Sequence, residues 1–275
     1  MKLICNLAVI VLAACLASPA AAELITEWNF NAENSPGSAS TGTGTSSGSF
    51  FPFTSTLPDN SGSSADMNPV IVNGGPNNSN ASRTGPQPGE ASGTRIMGFE
   101  TSTAGYTDIS IEWDMTAAYR SSRYYQLTAT SDGMNYNPVS GGIGSAGSTP
   151  GVGSYTIDTF GLITVSFDDG YVPNPDPNTT VPVDYLFDVS YAFPSGSAFE
   201  NNPNFGFEIA AIHAPTGNDF ISSFAGTTSA DPVAGYERST TRYDLVQVSG
   251  VFVPEPTGLA FTLLGLLGVS VLRRR

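Results

Sequence analysis

Apolar and polar residues alternate along much of the chain after residue 94. Every second residue is apolar between Asp108 and Met115, and the alternation returns from Tyr125 to Ala129. Successive side chains of a strand point to opposite faces, so this period of two predicts antiparallel strands with one buried face. The dipeptide Asp132-Gly133 follows the second run and predicts a turn.

Shorter runs of the same kind predict the remaining strands, at 23–30, Gly153–Ile157, Leu162–Phe167, 183–189, Phe205–Ala211 and 242–253. In the last run the apolar phase shifts between Leu245 and Val246, which predicts a β-bulge. No helical period occurs between residues 23 and 253. About eight to ten short strands without helices predict an all-β fold, a single antiparallel β-sandwich of the jelly-roll type.

Residues 34–93 lack this alternation and are dominated by Gly, Ser, Thr, Asn and Pro. Such a composition favours turns and irregular backbone over a packed core. Two islands, 50–57 and 69–72, contain enough apolar residues to pair as strands. We expect this stretch to form long loops with one or two edge strands, within the same domain as the strands that follow.

The first 22 residues have the features of a secretory signal peptide, which predicts a short N-terminal helix. Lys2 supplies the positive charge, residues 3–16 are almost wholly apolar, and three alanines end at Ala22. Cleavage is therefore expected between Ala22 and Glu23. The tetrapeptide that ends at Cys15 resembles a bacterial lipobox, so lipidation after cleavage before Cys15 is the alternative. We favour ordinary cleavage because a second anchor at the far end would make lipidation redundant.

The last 22 residues contain three parts in a fixed order. Pro254, Glu255 and Pro256 come first, residues 257–272 are uncharged and mostly apolar, and Arg273, Arg274 and Arg275 end the chain. As a helix the apolar run is about 24 Å long, a little shorter than a ~30 Å hydrocarbon core. Arginine flanks resist translocation, so we expect a transmembrane helix with its arginines in the cytoplasm and its prolines at the outer face.

This tail resembles the PEP-CTERM sorting signal, whose motif, helix and basic cap follow one another in the same order. The resemblance implies that an exosortase in the inner membrane of a Gram-negative bacterium recognises Pro254, Glu255 and Pro256. It further implies export by the general secretion machinery, transient membrane anchoring, and release to the cell surface or the medium. Substrates of this family often accompany exopolysaccharide production. A plain tail anchor is the alternative.

A second resemblance covers about residues 94–253. Four segments, 121–127, 131–133, 201–205 and 242–246, are similar in order and character to uncharacterised jelly-roll-like domains carried by PEP-CTERM proteins. That resemblance implies a fold and a location, and it brings no activity with it. We therefore divide the chain into a signal peptide (1–22), one β-sandwich domain (23–253) and a sorting signal (254–275).

Composition narrows the range of functions. The formal net charge is −14, and the only lysine is Lys2, so the basic surface that nucleic acids require is missing. Both cysteines, Cys5 and Cys15, precede the expected cleavage point, so the exported chain has no disulfide, no thiol nucleophile and no cysteine-bound metal. The single histidine, His213, excludes zinc sites built from several His and Cys ligands.

Two motifs have the letters of catalytic or cofactor sites without their context. Residues 142–147 match G-x-G-x-x-G, but the Ser-Thr-Pro-Gly that follows does not open the helix that holds a dinucleotide. Residues 44–48 match G-x-S-x-G, but they lie in a Gly/Ser/Thr tract where chance matches are common. His213, the one available histidine base, is expected in a loop or at a rim. We expect neither a dinucleotide site nor a serine hydrolase.

Three acidic residues are candidate calcium ligands. Asp168, Asp169 and Asp176 lie on either side of a turn rich in Pro and Asn, and carboxylates with backbone carbonyls are what Ca²⁺ prefers. The requirements of the turn explain the same residues. We therefore predict no cofactor, with structural calcium as the open alternative.

Exposed tyrosines are the remaining functional candidates. Tyr124, Tyr136 and Tyr171 are candidates for stacking on sugar rings, with nearby polar groups bonding to hydroxyls. The alternative is that these tyrosines cap the core and bond to the backbone. The sequence thus predicts a non-catalytic envelope or matrix protein, purely architectural or a weak carbohydrate binder. The alternative function is a secreted glycan hydrolase with a carboxylate pair, although no pair stands out in the sequence.

Overall fold

The computed structural model describes residues 21–28, 39–48, 82–84, 91–93, 96–117, 122–149, 153–167, 187–221, 223 and 241–254. Within these ranges the protein is all-β, contains no helix, and forms two antiparallel sheets. None of the described elements is a helix able to cross a membrane. The predicted signal helix and C-terminal helix lie outside the described residues.

The strands in chain order are β1 Ala22–Trp28, β2 Gly44–Gly48, β3 Ser82–Thr84, β4 Ile96–Thr101, β5 Tyr106–Ala117, β6 Tyr124–Thr130, β7 Asn137–Pro138, β8 Ile143–Ala146, β9 Ser148–Thr149, β10 Gly153–Ile157, β11 Leu162–Phe167, β12 Phe187–Ala192, β13 Phe205–Ala211 and β14 Thr241–Phe252. The first sheet has the order β1-β14-β5-β12-β8, with β3 also beside β14. The second has the order β2-β4-β13-β6-β11-β10-β9, with β7 beside β6.

The strands bury alternate side chains, as the alternation of apolar and polar residues predicted. In β5 the side chains of Ile109, Ile111 and Trp113 are buried, whereas Asp108 before them and Glu112 among them are exposed. Strands β6, β10, β11 and β13 fall where the pattern predicted them. Each sheet thus has one apolar face, and burying a large side chain on that face stabilises the fold by about 1.5–3 kcal/mol.

The apolar faces of the two sheets meet in one hydrophobic cluster. The ring of Trp28, from the first sheet, lies 5.1 Å from that of Phe99, from the second. Phe99 in turn stacks on Phe207 of the neighbouring strand at 5.0 Å. Gly44 makes room for this contact, because a Cβ atom added there would lie 2.6 Å from Trp28 Cζ2.

The predicted bulge in the last strand is confirmed. The pairing of β14 with β5 shifts register between Asp244 and Gln247, and Leu245 has a φ of 45°. A non-glycine residue in this left-handed region is uncommon, and an extra residue in one strand of a pair is what forces it. The shift lets both halves of β14 present their apolar residues to the core.

Other expectations were incomplete or wrong. The prediction of eight to ten strands was too low, since fourteen occur in the described residues alone. Residues 34–93 contain two described strands, β2 and β3, as many as expected, but they lie outside the two islands that were expected to form them. The predicted strand at 183–189 is described from Phe187 on, as part of β12, and residues 183–186 and the islands 50–57 and 69–72 lie outside the described ranges.

Candidate functional site

The structure places both the G-x-S-x-G and the G-x-G-x-x-G matches in paired β-strands. Ser46, the central residue of the G-x-S-x-G match, is buried in β2, which pairs antiparallel with β4 and is not a strand-to-helix turn. The G-x-G-x-x-G match contains β8 and is followed at once by β9. His213 comes just after β13, and its ring packs edge-on against Phe220 at 4.5 Å. The serine of the first motif is therefore not on a strand-to-helix turn, and the glycines of the second are followed by a strand and not by a helix.

Two further tyrosines are structural. Tyr125 is fully buried, and its hydroxyl lies 2.6 Å from Thr241 Oγ1. Tyr191 is fully buried in β12. Its hydroxyl accepts a hydrogen bond from Gly142 N and donates one to Thr159 O. Burial raises the pKa of the Tyr191 phenol. These two side chains therefore belong to the core.

The structure describes some of the remaining candidate site residues and not others. Tyr124 is half-buried on the outer face of β6, and Tyr136 is half-buried in the segment between β6 and β7. Ala22 and Glu23 begin β1, and Pro254 is the last described residue. The other candidates lie outside the described ranges: Tyr171, Asp168, Asp169, Asp176, Glu255, Pro256, Arg273, Arg274 and Arg275.

Tyr136 belongs to a polar cluster on the outer face of the second sheet. Its hydroxyl donates a 3.0 Å hydrogen bond to Glu100 Oε1 on β4. Gly206 of β13 is the register partner of Glu100, and a Cβ atom added at Gly206 would lie 2.8 Å from Tyr136 Oη. The absence of a side chain at Gly206 therefore allows the phenol to lie across the strand and reach the carboxylate.

Glu208 is the second carboxylate on this face. It pairs with Gly98 whereas Glu100 pairs with Gly206, so the two glutamates are diagonal neighbours on adjacent strands. Thr128 Oγ1 on β6 lies 3.5 Å from Glu208 Oε2. Burial raises the pKa of the Glu208 carboxyl, the Thr128 contact lowers it, and the charge of Glu100 raises it again.

The same charges act on the phenol. Burial is the main cause that raises the pKa of Tyr136 above its usual range, followed by the hydrogen bond to Glu100 and the nearby carboxylates. Tyr136 is therefore a neutral donor at neutral pH, and Glu100 is its acceptor.

Asp132 lies beside this cluster, and its carboxylate forms its hydrogen bonds within its own turn. Its carboxylate accepts hydrogen bonds from Met134 N, Asn135 N, Asn135 Nδ2 and Thr130 Oγ1 at 2.6–2.9 Å. The bonds from Asn135, with those from Met134 and Thr130, hold its pKa well below the usual range. Gly133 has a φ of 73°, which confirms the turn predicted at Asp132-Gly133.

An open cleft of about 530 Å³ begins at this cluster. Glu100 is on one wall and Asp132 on another, and the full lining is Thr43, Gly44, Thr45, Glu100, Thr101, Ser102, Asp132, Gly133, Pro203, Asn204 and Phe205. Most of these groups are hydrogen-bond donors or acceptors, as a ligand with many hydroxyls requires. In the described part of the chain, no three His, Cys, Asp or Glu side chains are grouped to hold a metal ion.

Sequence reasoning did not single out Glu100 or Glu208. Each occupies an ordinary outward position in a strand, and the chain contains 24 acidic residues. The signal that distinguishes them is the glycine opposite each one, and strand register is needed to see it. Glu100 faces Gly206 and Glu208 faces Gly98.

Comparison with known proteins adds no relative. No family model, no curated protein and no solved structure matches this chain.

Proposed function

We propose that this protein is exported by a Gram-negative bacterium, sorted by an exosortase through Pro254, Glu255 and Pro256, and displayed at the cell surface or released as a non-catalytic matrix protein. One observation carries the proposal. Ala22 pairs with Val251, so the folded body begins and ends side by side at one end of the first sheet.

This pairing suits a chain with a removable segment at each end. The proposed signal peptide ends at Ala22, the first residue of β1, and the proposed sorting signal begins at Pro254, after the exposed residue Val253. Loss of residues 1–22 shortens β1 by one residue, and loss of residues 254–275 removes none of the described strands. The domain between the two cleavages keeps its core.

For the fold we propose a jelly-roll-like sandwich, with the two sheets as its layers. The support is the single core that both sheets share, joined by the Trp28–Phe99 contact. In jelly rolls of this kind the outer face of a sheet is free to carry a binding surface.

The proposed ligand is exopolysaccharide, bound weakly at the cleft beside Tyr136. Carboxylate and hydroxyl groups at the cleft can exchange hydrogen bonds with sugar hydroxyls. Weak binding is expected because Tyr136 is half-buried and already bonded to Glu100, which leaves little ring surface for stacking.

Replacement of Pro254, Glu255 and Pro256 by alanine in the native host tests the sorting proposal. We expect the variant to stay uncleaved in the inner membrane, where membrane fractionation and mass spectrometry of the C-terminus will detect it. Replacement of Thr257 by alanine outside the motif is the control and should leave processing unchanged. Normal release of the triple-alanine variant would refute exosortase sorting.

One observation favours a second function, a glycan hydrolase. Glu208 has a raised pKa, as a general acid requires, and Glu100 lies diagonal to it on the same face. Against this, Glu100 lines the cleft and Glu208 does not, so the two do not face each other across it. New reducing ends from neutral polysaccharides, lost in both Glu100→Gln and Glu208→Gln, would establish the hydrolase.

A further inference from the structure

Exposed apolar side chains gather at the end of the first sheet where the chain begins and ends its fold. We name the terminal corner the group Ala22, Leu24, Val251, Phe252 and Val253. Leu24, Phe252 and Val253 expose 43%, 45% and 45% of their surfaces. They are half of the six large hydrophobic residues that the described chain exposes, so its exposed apolar side chains are concentrated at this end.

Strand register places these residues at the same end of the first sheet. Ala22 pairs with Val251, and Leu24 pairs with Ser249. Cross-strand partners point to the same side of a sheet, so Ala22, Leu24 and Val251 lie on one face. Phe252 points to the other face, where it pairs with Tyr106 and packs edge-on against it, with ring centres 5.6 Å apart. The backbone is held as well, because Val253 N donates to Gly105 O at 2.8 Å.

The sequence after Val253 limits where this corner can be. Only Pro254, Glu255 and Pro256 separate it from the apolar run 257–272. Three extended residues span at most about 11 Å. If the run is in a bilayer, the corner is therefore held close enough to the membrane surface to reach the lipid headgroups.

We propose that the terminal corner rests on the lipid headgroup region of the membrane while the C-terminal run is inserted, so that the domain is held in one orientation before processing. This inference rests on the membrane insertion that the proposed function requires. The Phe252–Tyr106 pair presents an aromatic edge of the kind enriched at membrane interfaces. Glu23 is exposed beside it, and the cost of burying a carboxylate keeps the contact at headgroup level.

The chain has only two cysteines, Cys5 and Cys15, so once these are replaced a single introduced thiol can carry a fluorescent label. In the full chain with Cys5 and Cys15 replaced by serine, we would label Phe252→Cys, and separately Val253→Cys, and reconstitute each protein in vesicles of phosphatidylethanolamine and phosphatidylglycerol. Lipids that carry a quencher near the headgroup then report contact. Quenching is expected to be roughly twofold or more above that of a label in water.

Thr216→Cys supplies the matched control at the other end of the domain. Asn201 N bonds to Tyr106 O near the corner, and β13 then runs away from it for seven residues. Thr216 lies in the exposed loop after β13, about 20 Å or more from the corner. Its label should be quenched no more than free dye.

Leu263→Cys, in the middle of the apolar run, distinguishes membrane anchoring from contact between the terminal corner and the headgroups. Quenching at 263 and at 252 and 253 supports the inference. Quenching at 263 with labels at 252 and 253 as accessible as the one at 216 overturns it and leaves membrane anchoring intact. A label at 263 that stays in water overturns both the anchor and the contact that depends on it.

Discussion

The hydroxyl of Tyr136 donates a hydrogen bond to Glu100 across the position of Gly206. The segment before β7 supplies the phenol, β4 supplies the carboxylate, and β13 supplies the gap between them. This contact connects three parts of the second sheet at the edge of the cleft. Its properties can be tested one component at a time.

Gly206→Ala should displace the Tyr136 phenol. The added Cβ atom would meet Tyr136 Oη at 2.8 Å and Phe99 O at 3.1 Å, and the phenol is the easier of the two to move. Loss of the bond to Glu100 should lower the free energy of unfolding by about 0.5–1.5 kcal/mol, measured by chemical denaturation. Gly217→Ala is the control, because its Cβ atom would have no neighbour closer than 3.9 Å. Equal stability of the two variants would contradict the packing described.

Tyr136→Phe should reduce the loss of stability at high pH. The folded pKa of Tyr136 is raised, so its contribution to stability is fully present below the unfolded pKa of about 10 and is lost as pH rises through the folded value. Unfolding of wild type and variant at neutral pH and above pH ~10 checks this. Ultraviolet titration should also show one fewer late-ionising phenol in the variant, and identical titration curves would contradict the assignment.

Glu208→Gln should stabilise the protein at neutral pH and have little effect in acid. Because the folded pKa of Glu208 is raised, its carboxyl contributes stability below the unfolded pKa of about 4.3, and that contribution is lost as pH rises through the folded value. An uncharged amide avoids that loss. Denaturation midpoints at neutral pH and at about pH 3.5 measure the difference. A variant less stable than wild type at neutral pH would show that the Thr128 contact outweighs burial.

Thr101→Val should cost about 1–3 kcal/mol. Thr101 Oγ1 donates to Thr43 O at 2.7 Å and lies 2.7 Å from the buried Thr26 Oγ1. Valine keeps the shape but leaves Thr26 Oγ1 with only a 3.5 Å contact to Thr43 O. Thr101→Ser retains the hydroxyl and should recover most of the stability. A Thr101→Val variant as stable as the wild type would contradict the role given to the hydroxyl.

The main strands could be predicted because their apolar faces are long and regular. Ile109, Ile111 and Trp113 alternate with polar residues, so burial on one side is already visible in the order of amino acids. The same holds for β13, and the shifted phase at Leu245 located the bulge. Strand β2, Gly44–Gly48, has no such face, and it is a strand because β4 offers it a partner.

By itself the sequence determined the strand-rich pattern, the acidic charge, the absence of cysteine after residue 15, and the two terminal segments that are predicted to be sorting signals. These are properties of neighbours along the chain, and short-range chemistry is enough to read them. Tertiary structure alone decided that Ala22 meets Val251 and that Glu100, Glu208 and Tyr136 gather on the outer face of the second sheet. Such pairings depend on register between strands far apart in the chain, and a shift of one residue would turn each side chain to the opposite face.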